Sequence, residues 1–410
     1  MPMTNYINRI IEELVEAKLE NYWPDFEMVA YALYDNCNVY LYNHPKFKGN
    51  QQNAYQILKR DEQFNGCTLI LYEEYPTAIV DLQLYEDYEG LFSILVHELF
   101  HGYQYIKGEN RFPDEILGVT YPLSEENVQL RNLERINLYN ALLEKNTLKK
   151  KEFLNTFIEL KEKRATKINE YLIYENLIET VEGPAWYVEL KAYEEKSSLA
   201  YGSVLQNYGQ SLINKYESTS NIRRSCYSSG LFMCLLLDEL SPGWEEGFLS
   251  TEETLYDYFK RLSGNFIKSN QIDHIEIEIS SETEEVIIFT LENRKKEFKK
   301  FNEQKGILLS IEGEIIAKSF DPMNIIFLED KLLHKNFIKV RINNEDYMLQ
   351  QQVITDFKGR LQDIKKLHLI LKDKPIENID SLVVEGVGEI KGRYLKEGNN
   401  YHLFVNNNQS

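Results

Sequence analysis

The apolar positions near the start of the chain follow first a helical and then an extended pattern. From Tyr6 to Leu19, apolar residues recur at every third or fourth position, which predicts an amphipathic helix. Stretches rich in β-branched and aromatic residues then predict strands at Met28–Tyr34, Val39–Tyr42, Thr68–Tyr72 and Ala78–Leu84. The chain is therefore expected to begin with a small mixed sheet and accompanying helices.

The middle of the chain has helical spacing throughout. The run from Glu89 to Ile106 is apolar over most of its circumference, which predicts a buried helix. From Ser124 to Lys196, apolar positions recur among dense charges and predict two or three solvent-flanked helices. A further apolar helix is expected from Asn221 to Leu240, because Pro242 and Gly243 follow as stop signals.

The pattern changes between Leu262 and Asn270, where small and polar residues interrupt the helical spacing. A domain boundary is predicted there, with residues 1–264 in the first domain and residues 270–410 in a β-rich accessory domain of sandwich or barrel type. Its predicted strands are Ile275–Ile279, Val286–Thr290, Ile307–Ile311, Ile325–Leu328, Phe337–Ile342 and Leu367–Leu371. The expected fold class is α+β.

Composition restricts the classes of function. The chain has 410 residues, 43% of them hydrophobic, which is enough for two cores. Its 65 acidic and 46 basic residues give a net charge of -19, which repels nucleic acid and anionic lipid, so neither is expected as a partner.

Cysteine usage and the apolar runs bear on the compartment. The four cysteines lack CxxC spacing and are expected to be reduced thiols. They are Cys37, Cys67, Cys226 and Cys234. Residues 1–20 do not have the pattern of a secretory signal, and the run from Ser225 to Leu237 is too short to cross a bilayer. A cytoplasmic protein is expected.

One motif carries candidate chemistry. His97, Glu98 and His101 form an HExxH motif inside the predicted helix Glu89–Ile106. Histidines four residues apart lie on one helical face, so both rings reach a single zinc ion, and the interposed glutamate is placed to act as the general base for an attacking water. With seven histidines in the chain, a chance HExxH has an expectation on the order of 0.01, so we interpret the motif as a Zn²⁺ site.

A catalytic zinc needs a third protein ligand. No histidine follows in the first predicted domain, and the next one, His274, lies beyond the boundary. A carboxylate is therefore favoured, with the upstream His44 as a weaker candidate. Glu182 is the best choice, and Glu179, one turn earlier, is either the alternative ligand or a partner of a ligand histidine.

With these motifs the chain resembles the gluzincin metallopeptidases, and in particular the peptidase MA-like families. In that group the third ligand often lies in a Glu-Gly-x-Ala-x-Tyr stretch, which Glu182, Gly183, Ala185 and Tyr187 match. The resemblance covers roughly Ile79 to Leu240. It implies a zincin-like domain, Glu182 as the third zinc ligand and hydrolysis of peptide bonds.

The ligand segment departs from that pattern in two ways, and its glutamates also have a plainer interpretation. A long helical insertion precedes the segment, and Pro184 is expected to kink the ligand helix, which begins near Asn169, or to start a new one. The glutamates of this segment also recur at helical spacing, as on an ordinary charged helix face. These glutamates are Glu175, Glu179, Glu182 and Glu189.

Three further assignments concern the substrate. Tyr227 is a candidate donor to the oxyanion of the transition state. Arg223 and Arg224 are candidates for binding a substrate carboxylate, although exposed arginines are common at helix starts. The strand Ala78–Leu84 is expected at a sheet edge, where gluzincins pair with an extended peptide.

Three functions remain open. The first is a zinc-dependent peptidase acting on peptides or unfolded proteins. The second is a non-catalytic scaffold whose C-terminal β domain binds a protein partner. The third is a zinc-dependent hydrolase of a non-peptide amide or ester, which would use the same residues.

Overall fold

The computed structural model describes residues 3–16, 18–47, 55–264 and 278–405. The chain forms two compact units, and each of them consists of two separate segments of the chain. The first comprises Met1–Pro113 and Ser124–Ile279, and the second comprises Asp114–Leu123 and Ser280–Ser410. Asp114–Leu123, a short segment between the two parts of the first unit, thus belongs to the second. Residues 265–270 of the predicted boundary lie outside the described residues.

In the first unit one helix is followed by five strands and then by helices, and the second unit consists mostly of strands. The helices are α1 (Met3–Glu16), α2 (Tyr88–Ile106), α3 (Glu115–Val119), α4 (Glu125–Leu143), α5 (Thr147–Lys196), α6 (Tyr201–Ile213), α7 (Lys215–Ser220), α8 (Ile222–Leu240), α9 (Glu245–Phe248), α10 (Leu255–Leu262) and α11 (Ser281–Asn302). The strands are β1 (Ala30–Tyr34), β2 (Asn38–Tyr42), β3 (Gln56–Lys59), β4 (Thr68–Tyr72), β5 (Tyr75–Asp81), β6 (Ile307–Phe320), β7 (Ile325–Leu328), β8 (Lys331–His334), β9 (Ile338–Ile342), β10 (Glu345–Leu349), β11 (Val353–Lys358), β12 (Arg360–Leu371), β13 (Ile376–Glu377), β14 (Ser381–Val384), β15 (Gly388–Lys391), β16 (Arg393–Glu397) and β17 (Asn400–Phe404). The predicted α+β class is confirmed.

The sheet of the first unit has the order β3-β2-β1-β5-β4, with β1 and β5 parallel and the other neighbours antiparallel. The prediction that Ala78–Leu84 forms an edge strand is wrong, because β5 lies between β1 and β4. A tight turn with left-handed backbone at Glu73 and Glu74 (φ 47° and 67°) returns the chain and pairs β4 outside β5. Among the described strands, β4 forms this edge.

Helix α2 follows β5 and lies in the main core of the first unit. Asp87 caps its N-terminus by accepting a hydrogen bond from the backbone N–H of Gly90. Leu91, Phe92 and Leu95 are buried on it, so the predicted buried helix is confirmed. The helix is a rigid element on which side chains hold fixed positions.

Helix α5 is interrupted at a different place from the one expected. Its only non-helical backbone lies at Ile168 (φ −129°, ψ 32°), close to the predicted start near Asn169, and the helix continues through Pro184. The expected kink at Pro184 is therefore wrong. Pro184 lacks the N–H that would bond the carbonyl of Thr180. The next carbonyl, that of Val181, accepts a hydrogen bond from Gln104 Nε2 at 2.9 Å, which connects this turn of α5 to α2.

Helices α5 and α8 cross at a contact between two glycines. A Cβ on Gly230 would lie 2.6 Å from Gly183 Cα and 2.8 Å from the carbonyl oxygen of Glu179. Only residues without a side chain allow this separation. Gly183 adjoins Glu182, so the crossing also determines where the candidate zinc ligand lies.

The first unit contains a buried ion cluster between α4 and α5. Glu175 Oε2 lies 3.4 Å from Arg131 Nε and 3.3 Å from Arg135 Nη2, and its other oxygen pairs with Arg164. The members are Arg131, Glu134, Arg135, Lys161, Arg164, Glu175 and Glu179, with side chains at most 2% exposed. The prediction that these helices are simply solvent-flanked is therefore wrong. Charges of both signs at helical spacing also fit an internal network.

The second unit contains a nine-stranded sheet and a three-stranded sheet. The predicted strand Val286–Thr290 is wrong, because these residues lie inside α11. Ser280 caps that helix through the N–H of Thr283, and the buried residues recur at helical spacing. Residues 275–277 of the predicted strand Ile275–Ile279 lie outside the described residues, and the remaining two form no strand. The other four predicted strands lie within or overlap β6, β7, β9 and β12.

Two structural features bear on the predictions made from the cysteines and the apolar runs. All four cysteines are free thiols. Within the described part of the chain, no helix has both the length and the apolar character needed to cross a bilayer.

The glycine crossing predicts that Gly230→Ala destabilises the first unit. Overpacking of this kind costs about 1–3 kcal/mol of the free energy of unfolding, and here the clash is with backbone atoms of α5, which cannot move aside as a side chain could. Urea unfolding followed by tryptophan fluorescence measures it. As a control, Gly202→Ala in α6 meets no atom within 4 Å and is expected to stabilise by up to about 1 kcal/mol. Equal stability of Gly230→Ala and wild type would contradict the prediction.

The buried ion cluster predicts that Glu175→Gln is strongly destabilising. The substitution leaves three buried arginines without their shared carboxylate, and breaking such a network costs about 3–5 kcal/mol. The same urea titration applies. Glu170→Gln, exposed on the same helix, is the matched control and is expected to change stability by less than about 0.5 kcal/mol. A loss no larger than the control's would mean that the arginines do not depend on this carboxylate.

Candidate active site

The structure brings the three predicted ligand residues together. His97 and His101 lie one turn apart on α2, and Glu182 reaches them from α5. Their ligand atoms form a small triangle: His97 Nε2 to His101 Nε2 is 3.0 Å, His101 Nε2 to Glu182 Oε2 is 3.2 Å, and His97 Nε2 to Glu182 Oε2 is 3.6 Å.

The size and chemistry of this triangle suit a zinc ion. Ligands about 2.0–2.2 Å from a tetrahedral centre lie roughly 3.3–3.6 Å from one another, close to the three separations here. Glu182 Oε2 is buried and has no hydrogen-bond partner among the described residues. A buried carboxylate oxygen facing two imidazole nitrogens has nothing to neutralise it except a proton or a cation. These donors therefore fit Zn²⁺.

The second nitrogen of each imidazole ring is also held. His101 Nδ1 lies 2.8 Å from Gln104 Oε1, and His97 Nδ1 lies 2.8 Å from Glu189 Oε2. The His97 contact has the length of a hydrogen bond, although the ring N–H is poorly aligned with the oxygen. Acceptors at Nδ1 favour the tautomer that leaves Nε2 open toward the metal position.

Sequence reasoning did not assign Gln104 to the site and treated Glu189 only as part of a charged helix face. Gln104 connects His101 to the carbonyl of Val181, so it links the two ligand-bearing helices. Glu189 accepts a hydrogen bond from the hydroxyl of Tyr208 at 2.9 Å. A signal existed: Gln104 is three residues past His101, and Glu189 is seven past Glu182, which places each on the ligand's own helical face.

Glu98 is buried beside the ligands at 5% exposure. Burial raises the pKa of its carboxyl group, with Glu182 and Glu189 adding to the effect, whereas His97 and His101 oppose it. A carboxylate of raised pKa holds a proton more readily, which suits a general base.

Opposing effects act on the pKa of His97. Burial lowers it, but the carboxylates of Glu182 and Glu189 outweigh burial and raise the pKa to about 10. These carboxylates thus favour positive charge at the ring. A divalent cation at the same position is favoured for the same reason.

Arg223 and Tyr227 complete the neighbourhood of Glu182. Arg223 Nη2 donates to Glu182 Oε1 at 2.7 Å, and Arg223 Nε donates to the Tyr227 hydroxyl at 3.2 Å. The Tyr227 ring stacks near His97, with centroids 6.4 Å apart. Burial, followed by the Glu182 carboxylate, raises the pKa of Tyr227 well above its usual value. Both residues thus lie at the predicted site, whereas Arg224 is exposed.

The two alternative ligands have other partners. Glu179 pairs with Lys161 Nζ at 2.8 Å and accepts a hydrogen bond from Ser229 Oγ. His44 Nε2 lies 3.0 Å from the carbonyl oxygen of Tyr72. Neither residue has a ligand atom close enough to both histidines of α2 to share a metal ion with them. The interpretation of the α5 glutamates as an ordinary exposed face is also wrong, because Glu175, Glu179 and Glu182 are buried.

The position of Gln104 predicts that Gln104→Leu weakens metal binding. The substitution removes the acceptor at His101 Nδ1, and losing such a partner typically costs about 10–100-fold in metal affinity. Zinc affinity is measured by competition with a chromophoric chelator. Gln206→Leu, exposed on α6, is the control. Unchanged affinity in Gln104→Leu would exclude a role for this hydrogen bond in orienting the histidine.

Comparisons of the chain with protein-family models, with curated protein sequences and with solved structures give no match.

Proposed function

We propose that this protein is a zinc-dependent peptidase of the gluzincin type with a zincin-like first unit, in which His97, His101 and Glu182 bind the metal and Glu98 is the general base. The observation that carries the proposal is the triangle of ligand atoms, 3.0–3.6 Å on a side, beside a buried carboxylate of raised pKa. The HExxH motif supplies three of the four residues, and a distant helix supplies the fourth.

A zinc ion held by these residues would act as a Lewis acid, because it would polarise a substrate carbonyl group and lower the pKa of a bound water. The protein's own part in the reaction is proton transfer. Glu98 accepts a proton from the attacking water and then donates it to the amine that leaves when the C–N bond breaks. Its buried position keeps this proton from exchanging freely with bulk water.

Other side chains prepare the site. Gln104 and Glu189 hold the two imidazole rings, as in other metal sites where outer partners orient the ligands. Tyr227 contributes a hydroxyl next to Glu182 and His97, and we assign it the role of donor to the developing oxyanion. Burial keeps this hydroxyl protonated, as a donor requires.

The substrate class follows from the nearest sheet edge. β4 is the outer neighbour of β5, which leads into α2, and an outer strand presents backbone donors and acceptors on one side. An extended peptide pairs with such an edge through its main chain, with little dependence on sequence. Peptides and unfolded proteins are the substrates we propose.

The decisive experiment compares wild type with Glu98→Gln. Both proteins are expected to contain about one zinc per chain. Cleavage of an unfolded, casein-type substrate is expected only in wild type and to stop with chelator, because loss of a general base costs about 10²–10⁴-fold in rate. Elemental analysis measures the zinc, and appearance of new N-termini measures cleavage.

Two controls complete the test. Glu89→Gln, in the first turn of α2, is expected to retain activity. His97→Ala is expected to lose zinc and activity together. Zinc in both main proteins with no cleavage by either would argue against the peptidase, and absence of zinc from wild type would reject the metal site itself.

A further inference from the structure

The candidate site contains an arginine bound to one of its own metal ligands. We propose that Arg223 is a positioning residue that restricts Glu182 to a single metal-facing oxygen and at the same time fixes the hydroxyl of Tyr227. This inference rests on the zinc centre proposed above. It adds a determinant of coordination that neither the HExxH motif nor the third ligand supplies.

The two oxygens of Glu182 have different surroundings. Oε1 accepts from Arg223 Nη2 at 2.7 Å, whereas Oε2 has no hydrogen-bond partner among the described residues and faces the Nε2 atoms of both histidines. A carboxylate otherwise has the choice of binding a cation through one or both oxygens. A charge-assisted hydrogen bond to one oxygen occupies one of its lone pairs and withdraws charge from it, so metal binding through the other oxygen is favoured.

The same guanidinium group reaches a second residue. Arg223 Nε donates to the hydroxyl of Tyr227 at 3.2 Å, so a planar fork holds Glu182 and Tyr227 in a fixed relation. The Tyr227 ring is further confined by Trp186, with centroids 5.5 Å apart, and by His97. A lysine side chain has the same charge but lacks the planar set of donors that reaches both residues.

One-oxygen binding matters because a catalytic zinc needs an open position. Three ligand atoms leave the fourth tetrahedral position for water or substrate, whereas a second oxygen from Glu182 would occupy part of that space. Arg223 thereby favours reactivity over tight metal binding. Its positive charge next to Glu182 and the histidines also repels the metal cation that these residues would bind.

This opposition separates a positioning role from a purely structural one. If Arg223 merely stabilised the fold around the ligands, its removal would loosen the site and weaken metal binding. If Arg223 positions Glu182 as proposed, its removal frees the second oxygen and removes a repelling charge, so metal binds more tightly while catalysis becomes slower.

The test uses full-length Arg223→Met and Arg223→Lys, with Arg261→Met as the control. Arg261 lies on α10 and is exposed, with its guanidinium 2.6 Å from Glu253. Each protein is stripped of metal and titrated with Co²⁺, whose visible absorption weakens as the coordination number rises. Zinc affinity by chelator competition, kcat and KM are then measured, and far-UV circular dichroism verifies folding.

For Arg223→Met we expect zinc affinity to rise by about three- to tenfold. The Co²⁺ bands are expected to weaken, and kcat to fall by about tenfold or more with little change in KM. Arg223→Lys retains the charge, so its affinity is expected to stay near wild type while kcat still falls. Arg261→Met is expected to match wild type in every readout.

Unchanged or weaker zinc affinity together with unchanged Co²⁺ bands in Arg223→Met would overturn the role of Arg223. If Arg223→Met does not fold, Arg223→Lys decides, and a wild-type kcat in it would overturn the proposal. These results differ from failure of the proposed function, in which wild type itself binds neither zinc nor Co²⁺ and both proposals fall together.

Discussion

Burial of carboxylates along α5 is the constraint on which the first unit depends. An ionised carboxylate removed from water must be paired, and each of these has a different partner. Glu175 has three arginines, Glu179 has Lys161, and Glu189 lies against His97 and Tyr208. Glu182 has Arg223 on one oxygen only. Its other oxygen has no hydrogen-bond partner among the described residues and faces the two histidines of α2, so at Glu182 the pattern of buried carboxylates becomes part of a candidate metal site.

The second constraint is the close approach of α8 to α5. The contact between Gly183 and Gly230 brings the start of α8 against the segment that carries Glu182. Arg223 and Tyr227 reach the ligand from that helix. On the opposite side, Gln104 connects α2 to the carbonyl of Val181. The site is therefore assembled from three helices whose mutual positions are set by packing and hydrogen bonds around the same turn of α5.

Local sequence patterns predicted most elements of the first unit, because each apolar period there coincides with a packing face. They failed where one sequence pattern is compatible with two kinds of secondary structure. The stretch Val286–Thr290 is rich in β-branched residues yet lies in α11, because Ser280 caps a helix and the buried positions follow its turns. Pro184 was expected to kink α5 or to start a new helix, but α5 continues through it and its non-helical backbone lies at Ile168. The transfer of residues 114–123 to the second unit has no local signal at all.

The sequence by itself determined the two histidines and the glutamate of HExxH, since their chemistry depends on spacing within one helix, and it made Glu182 the favoured third ligand. The tertiary structure decided which glutamate of α5 reaches the histidines. It also revealed Gln104 and Glu189 behind the two histidines, Arg223 on the other oxygen of Glu182, and β4 rather than β5 at the sheet edge. The physical reason is that helical spacing fixes neighbours within about one turn, whereas partners from distant segments depend on how helices pack.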